Sequence, residues 1–592
     1  AKYVRHVKVK DAHLRLGLKL GASAPQTAAD HLAAGGVFVK HRLLSGYFSP
    51  TLHELGATDG KLSLAVVPRY EGKWNPRTHR GYNPNEGGAY NKGDTGSWWL
   101  YDCAYKIDEY WLNFAGGDAN LARGLDSKLY ALCPGEYYSE CEALGFGRFG
   151  TVEDEAATYR KWGWKNVEAK KAALLAGKWM KPLPGYHVPY VLSHADSETD
   201  DAEGMLLMAL RSGGRGYFDA GLAWARFYAN NHVARIDFKP AGRRKYDRWK
   251  FAGHDVHIMT SHQSYSNGRT CGCHFYGAGA MDYYVLTGEK SLLLGSADIF
   301  RYVRNKWAKH VPGKSRVGSY GTRGFGRQFM AAIRYYEITR DPEVKKFIDH
   351  MAQLALKEPS YVKEEDYGFI DAPSSNGMHG KKQVTKYLAK LPRLQEYMKD
   401  KGLKWDEKSC TVTDAKGESW KVYDAAGTWE QTYVHQGMER YWRTTGRKDK
   451  DAEDYIVRFA NYFRKFPWDD HCQQVGYIAW GLHFPEKGMC LGCQMGRWMP
   501  SHDKCPGPGA KHSGWYTRFG PDVAARAYAV SGKKEYLEQA RMYWNRGSKR
   551  GYQRTAQSAP DDEVGTFATH VPPKDDSVLS TALMFYLVPR AK

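Results

Sequence analysis

Histidines are the side chains best suited to exchange protons near neutral pH, and four of them crowd into one stretch of this 592-residue chain. They are His254, His257, His262 and His274, within HDVHIMTSHQSYSNGRTCGCHFYGAGAMDYYVLTG, residues 254–288. The first two thirds of the stretch are too rich in Gly, Ser and Asn for regular helix. The end, GAGAMDYYVLTG, repeats small and apolar residues at helical spacing and stops on Gly288. A polar loop running into a buried helix is a common way to build a pocket floor. The cluster therefore suggests acid/base chemistry; the alternative is four histidines that cap, pack or face solvent.

Two other residue types carry chemistry. Cys271-x-Cys273 and Cys490-x-x-Cys493, with Cys472 and Cys505 near in sequence, have the ligand types of a tetrahedral zinc site. Disulfides between the two segments are the default in an exported chain. No cofactor is required by this reading, and structural zinc or calcium is the alternative. Acidic residues gather in SHADSETDDAEG, which brings Asp196, Glu198, Asp200, Asp201 and Glu203 to the mouth of a helix. Asp371 and Glu430 fall in later loops. Such acids are either a carboxylate pair for hydrolysis or simple caps.

The elements that must hold these residues change character along the chain. Residues 1–150 read as a β-rich, sandwich-like domain, with apolar runs such as KLSLAVVPRY between Gly, Asn, Pro and Asp clusters. WWLYDCAYKIDEYWLNF reads as a strand pair buried on two sides, or as a sugar-stacking ridge. Cys133 and Cys141 flank a tight loop and could bridge each other or form a buried thiol pair. Residues 151–195 read as a helical linker segment, acidic early and basic late. From 196 to 592, helix–turn–helix units recur: DYYVLTGEKSLLLGSADIFRYV, YYEITRDPEVKKFIDHMAQLAL, YWRTTGRKDKDAEDYIVRFANYF, AYAVSGKKEYLEQARMYW and a looser RSGGRGYFDAGLAWARFYANN. Recurrence of this kind indicates a helical array. The connecting loops 254–274, 316–327, 371–382 and 472–512 are long, unequal and chemically loaded. That favours a closed α/α toroid over an open solenoid. The expected fold class is α+β and multidomain: a β-sandwich-like domain followed by an (α/α) toroid of helical hairpins.

Composition narrows the partner. The formal charge is +21 and aromatics make up 14% of the chain, with 41 Tyr and 19 Trp. A basic balance favours polyanions. The Lys and Arg are scattered and no nucleic-acid-binding motif is recognisable, so acidic polysaccharide is preferred to nucleic acid. Aromatic faces suit sugars, with Trp429 and Trp498 as stacking candidates. No run is apolar enough to span a membrane. A chain starting at Ala1 is what signal cleavage leaves, so a secreted, periplasmic or cell-surface location is expected. A homo-oligomer or extracellular assembly is compatible with all of this.

The run DAEGMLLMALRSGGRGYFDAGLAWARFYANNHVARIDF, the histidine loop, HFYGAGAMDYYVLTGE and RGFGRQFMAAIRYYEITRD together resemble the exo-rhamnogalacturonan-lyase-like proteins. These place an α/α toroid after β-sandwich modules. The resemblance covers roughly residues 196–350, and 425–550 by repeat texture alone. It departs from the family in lacking a full N-terminal barrel module, in reading Ser-Glu-Thr-Asp-Asp before the first hairpin, and in Cys-Gly-Cys before His274. It implies a polysaccharide lyase.

β-Elimination on a uronate needs a group to neutralise the carboxylate, a base for the C5 proton and an acid for the leaving oxygen. Arg suits the first role because its fork matches a carboxylate. Arg323 and Arg327 are the candidates, with Arg215 behind them. His254 or His274 is the candidate base, and Tyr276 or Tyr284 the acid. His257, His262, Asp196, Asp200, Tyr284, Trp429 and Trp498 complete the proposed substrate-binding set. Two rival readings are a non-catalytic glycan-binding or assembly protein and an unsaturated-glucuronyl-type glycoside hydrolase.

Overall fold

A computed structural model describes the chain in pieces. Between residues 6 and 113 it gives the backbone of strands. With side chains it covers chiefly residues 111–118, 130–175, 200–229, 277–317, 322–370, 402–421, 428–465, 519–544 and 581–591; short backbone elements occur elsewhere. The described part is α+β, mostly helical with small sheets. The chain divides into two compact units. The first is Ala1–Cys133, Lys181–Ala209 and Arg215–Lys306; the second is Pro134–Met180, Leu210–Gly214 and Trp307–Lys592.

The first unit opens with strands β1 (His6–Val9), β2 (Ala12–Leu16), β3 (Ala24–Thr27), β4 (His31–Ala34), β5 (Val37–Leu43), β6 (Leu55–Thr58), β7 (Lys61–Val67), β8 (Trp98–Tyr101) and β9 (Asp108–Asn113). They form antiparallel sheets ordered β2-β7-β6-β3, β4-β5-β9 and β1-β8. The expected strand pair at 98–113 is corrected here. β8 pairs with β1 and β9 with β5, so neither strand takes its sequence neighbour. Among the described residues β9 lies at the edge of its sheet, and at its end Trp111, Leu112 and Phe114 are exposed rather than buried on two sides. Cys133 and Cys141 do not bridge each other, and both are exposed rather than buried. The tight loop expected between them is helix α1 (Gly135–Cys141).

The segment 151–195, expected as a helical linker, is described over 151–175, where it forms α2 (Val152–Lys161) and α3 (Val167–Leu175). A capping box starts α2, with Thr151 and Asp154 exchanging backbone bonds. Then come α4 (Asp201–Ser212), α5 (Arg215–Phe227), β10 (Val233–Arg235), β11 (Val256–Ile258), α6 (Ala278–Thr287) and α7 (Lys290–Trp307). Next are α8 (Thr322–Thr339), α9 (Pro342–Leu356), β12 (Tyr361–Glu364), β13 (Tyr367–Ile370), α10 (Thr428–Thr444) and α11 (Lys450–Lys465). The last are α12 (Phe519–Ser531), α13 (Glu535–Arg550) and α14 (Asp575–Arg590).

The recurring TG/TR/SG signature has one physical form. The N–H of Gly288, Arg340, Thr445 or Gly532 donates to the carbonyl of the tyrosine four residues earlier: Tyr284, Tyr336, Tyr441 or Tyr528, at 2.8–2.9 Å. The Thr or Ser hydroxyl beside it bonds back to a carbonyl one turn earlier. A left-handed residue then ends the helix: Gly288, Arg340, Gly446 with Arg447, or Gly532. Gly213 does the same between α4 and α5.

In the second unit these hairpins make two rows. α8, α10, α12 and α14 pack one against the next, while α9, α11, α13 and α2 pack outside them. α8 is buried almost without break from Thr322 to Arg334. α9 buries only Val344, Phe347, Ile348, Met351, Ala352, Leu354 and Ala355, the stripe of an outer amphipathic helix. α8 and α10 approach closely at Gly326, where a Cβ would lie 2.3 Å from the Tyr433 carbonyl carbon.

Candidate functional site

Arg323 and Arg327, expected at the start of a hairpin where the 316–327 loop ends, lie inside the helix itself. α8 starts at Thr322, so Arg323 and Arg327 occupy its first two turns, four residues apart on one face. Both are buried, at 5% and 3% exposure. The neighbouring helix α10 presents Glu430 and Tyr433 from its own first two turns. Arg323 Nε lies 3.8 Å from Glu430 Oε1. Arg327 Nη2 donates to the Tyr433 hydroxyl at 2.7 Å, and its guanidinium sits 4.1 Å from the Tyr433 ring centroid. Cation–π attraction and a hydrogen bond thus fix one arginine on one tyrosine. The N-terminal ends of both helices add positive dipole ends to the two guanidinium groups, and Glu430 supplies the negative charge among these four residues.

Two polar side chains anchor the chain around these helix starts. Gln431 accepts from the Ile370 N–H at 2.9 Å and donates to the Ile370 carbonyl at 3.1 Å, fixing the residue before Asp371 against α10. Glu358 accepts from the Val317 N–H at 2.5 Å, holding the approach to α8.

Toward the other end of the same row lies a buried ion network. Glu439 takes bonds from Arg443, at 2.7 Å, and from Arg526. Asp522 accepts from Gln436 at 2.9 Å and from Arg526 at 2.9 and 3.0 Å. Burial opposes charge on Glu439, yet Arg443 and Arg526 hold its carboxyl below the usual range. For Asp522 burial prevails over Arg526 and raises the pKa. Arg443 donates to the Gly145 carbonyl at 3.2 Å, and Glu142 pairs with Arg443 and Arg447, so residues 142–147 lie against the last turns of α10. Between the two ends, His435 is fully buried with Nε2 3.2 Å from the Ile456 carbonyl; burial, with Arg526, lowers it to about 3.

The other candidates are placed as follows. Asp200 caps helices in the first unit: its carboxylate accepts from the backbone N–H groups of Glu203, Gly277 and Gly279. Arg215 is exposed and pairs with Asp219 at 2.8 Å, one turn along α5, lying over Tyr130 and Phe218. Tyr284 is half-buried near the end of α6, where its carbonyl serves the Gly288 turn. His257 is in β11, opposite Ala234 of β10, and Trp429 is in the first turn of α10. His254, His262, His274, Tyr276, Asp196, Trp498, Cys271, Cys273, Cys490 and Cys493 lie outside the described residues. Among the described residues no group of three or more His, Cys, Asp or Glu is arranged to hold a metal ion, and no helix is long and apolar enough to cross a membrane.

The structure therefore brings Arg323 and Arg327 together with two residues the sequence did not pair with them. Glu430 was read as a loop acid, but it is a helix residue facing Arg323. Tyr433 was missed; its only signal is its place one helical turn after Glu430 in TWEQTYVHQG. Comparison with protein-family models, with curated proteins and with solved structures finds no match.

Proposed function

We propose that the chain is a carbohydrate-active enzyme, a lyase that cleaves an acidic, uronate-containing polysaccharide by β-elimination. The fold proposed with it is a β-sandwich-like domain followed by an (α/α) toroid. One observation carries the reading: Arg323 and Arg327, side by side on α8, meet Glu430 and Tyr433 of α10 at the helix starts. Two guanidinium groups at helix N-termini favour a carboxylate, and neutralising that carboxylate is what makes the C5 proton of a uronate removable. Tyr433 adds a phenol held by Arg327 as a proton-transfer candidate; His254, His274 and Tyr276, the candidates from sequence, lie outside the described residues. The net charge of +21 suits a polyanionic substrate and an exported enzyme acting on it.

A second reading, a non-catalytic glycan-binding or assembly protein on the same fold, draws on the burial of these arginines. Buried, ion-paired guanidinium groups also serve as fixed elements of a scaffold. The hydrolase reading would give Glu430 an acid or base role. Incubation with a panel of uronate polymers separates the three. A lyase yields an ultraviolet-absorbing unsaturated end, a hydrolase yields reducing ends without that absorbance, and a binding protein retains the polymer intact.

A further inference from the structure

Asp200 stands immediately before α4, and its carboxylate serves two helices. Oδ1 accepts from the Glu203 N–H at 3.1 Å, the bond of an ordinary N-cap. Oδ2 reaches across to the start of α6, accepting from the Gly279 N–H at 3.0 Å and the Gly277 N–H at 3.4 Å. One carboxylate thus sits between the positive ends of two helix dipoles. Gly279 makes this possible: a Cβ there would fall 2.5 Å from Asp200 Oδ1 and 2.4 Å from the Glu203 nitrogen. Capping α4 alone requires neither the second oxygen nor a glycine at 279.

The surroundings make the arrangement costly to keep. Burial, reinforced by the Glu203 charge, raises Asp200 to about 6 despite its three N–H donors. Facing it among the described titratable groups are Glu203 on α4 and the Tyr283 phenol on α6, whose hydroxyl is committed to the Phe218 carbonyl of α5 at 2.9 Å. The residue just ahead of Gly277 in the chain is Tyr276, and His274 is two further back.

We propose that Asp200 is a positioning residue: by clamping Gly277 and Gly279 to the start of α4, it fixes the start of α6, the helix that follows His274 and Tyr276 in the chain. Its consequence for His274 and Tyr276 rests on the lyase reading; the clamp itself does not.

Two variants of the full chain separate a clamp from a cap. Asp200→Ser keeps a good N-cap for α4 but is too short to bridge to α6. Asp200→Asn keeps the length and one acceptor oxygen. Hydrogen exchange at neutral pH is the readout. In Asp200→Ser the Gly277 and Gly279 amides exchange roughly ten- to a hundredfold faster, the loss expected for bonds to a charged acceptor, while α4 amides hold. Asp200→Asn falls between Ser and wild type. Unchanged exchange at Gly277 and Gly279, or equal acceleration in α4 and α6, overturns the clamp. If Asp200→Ser does not fold, Asp200→Asn decides on the same criterion.

Turnover tests the second half. On a uronate polymer, Asp200→Ser loses about tenfold or more in kcat at unchanged KM, with partial recovery in Asp200→Asn. An accelerated α6 start with undiminished kcat overturns positioning. A wild-type chain that cleaves no uronate polymer, with exchange altered as stated, removes the lyase reading and leaves the clamp standing.

Discussion

Arg327 lies across the ring of Tyr433, 106 residues away in sequence, and donates to its hydroxyl at 2.7 Å. Replacing Arg327 with Met keeps the stem and removes the guanidinium, leaving a buried phenol without this donor. The expected cost is about 1–3 kcal/mol in unfolding free energy, measured by denaturant titration. Tyr433→Phe keeps the ring under the guanidinium and should lose less, about 1 kcal/mol. Equal losses would mean that the hydroxyl contributes as much as the whole guanidinium.

His435 makes stability depend on acid. Its folded pKa is about 3 against an ordinary 6.5, so the unfolded chain takes up a proton first as pH falls. The stabilisation of the neutral form is complete above about pH 6.5 and is lost progressively toward pH 3, by roughly 3 kcal/mol at pH 4. His435→Gln should flatten this part of the pH–stability curve. The check is chemical unfolding at intervals between pH 7 and 4; an identical slope in the variant would contradict it.

The Glu439–Arg526 pair is buried within the network of α10 and α12. Glu439→Gln leaves Arg526 with Asp522 as its remaining acid, and Glu439→Leu leaves Arg443 and Arg526 to share that loss. Breaking one partner of a buried pair costs about 3–5 kcal/mol. Glu439→Leu should therefore lower the unfolding midpoint far more than exposed Lys346→Ala, whose partner Glu343 is also exposed.

At Gly326 α8 and α10 approach closely, and a methyl group there meets the Tyr433–Val434 backbone at 2.3–2.6 Å. Backbone cannot yield as a side-chain end can. Gly326→Ala should cost about 1–3 kcal/mol despite its better helix propensity, read as a lower thermal midpoint by circular dichroism.

The hairpins were legible because their signal is local. Thr287-Gly288, Thr339-Arg340, Thr445-Gly446 and Ser531-Gly532 each carry the hydroxyl and the helix stop within two residues. Strand pairing was not local. Trp98–Tyr101 and Asp108–Asn113 look like a hairpin, but their partners lie at His6–Val9 and Val37–Leu43, and non-local ladders leave no trace in either segment alone. The site was half legible for the same reason. Arg323 and Arg327 stand out in TRGFGRQ, whereas Glu430 and Tyr433 acquire meaning only when α10 packs on α8. Asp200 stands out in sequence as an acid near a helix start; its bond to Gly277, 77 residues on at the start of a second helix, is invisible there.

In the proposed lyase, guanidinium groups at the start of α8 take a sugar carboxylate so that elimination can follow. The direct measurement compares initial rates of unsaturated-product formation on a uronate polymer and on the same polymer with its carboxylates reduced to alcohols. Product from the first substrate alone, falling about a hundredfold or more in Arg327→Met, is the predicted result. Equal rates on both polymers, or no product from either with the wild-type chain, would contradict it.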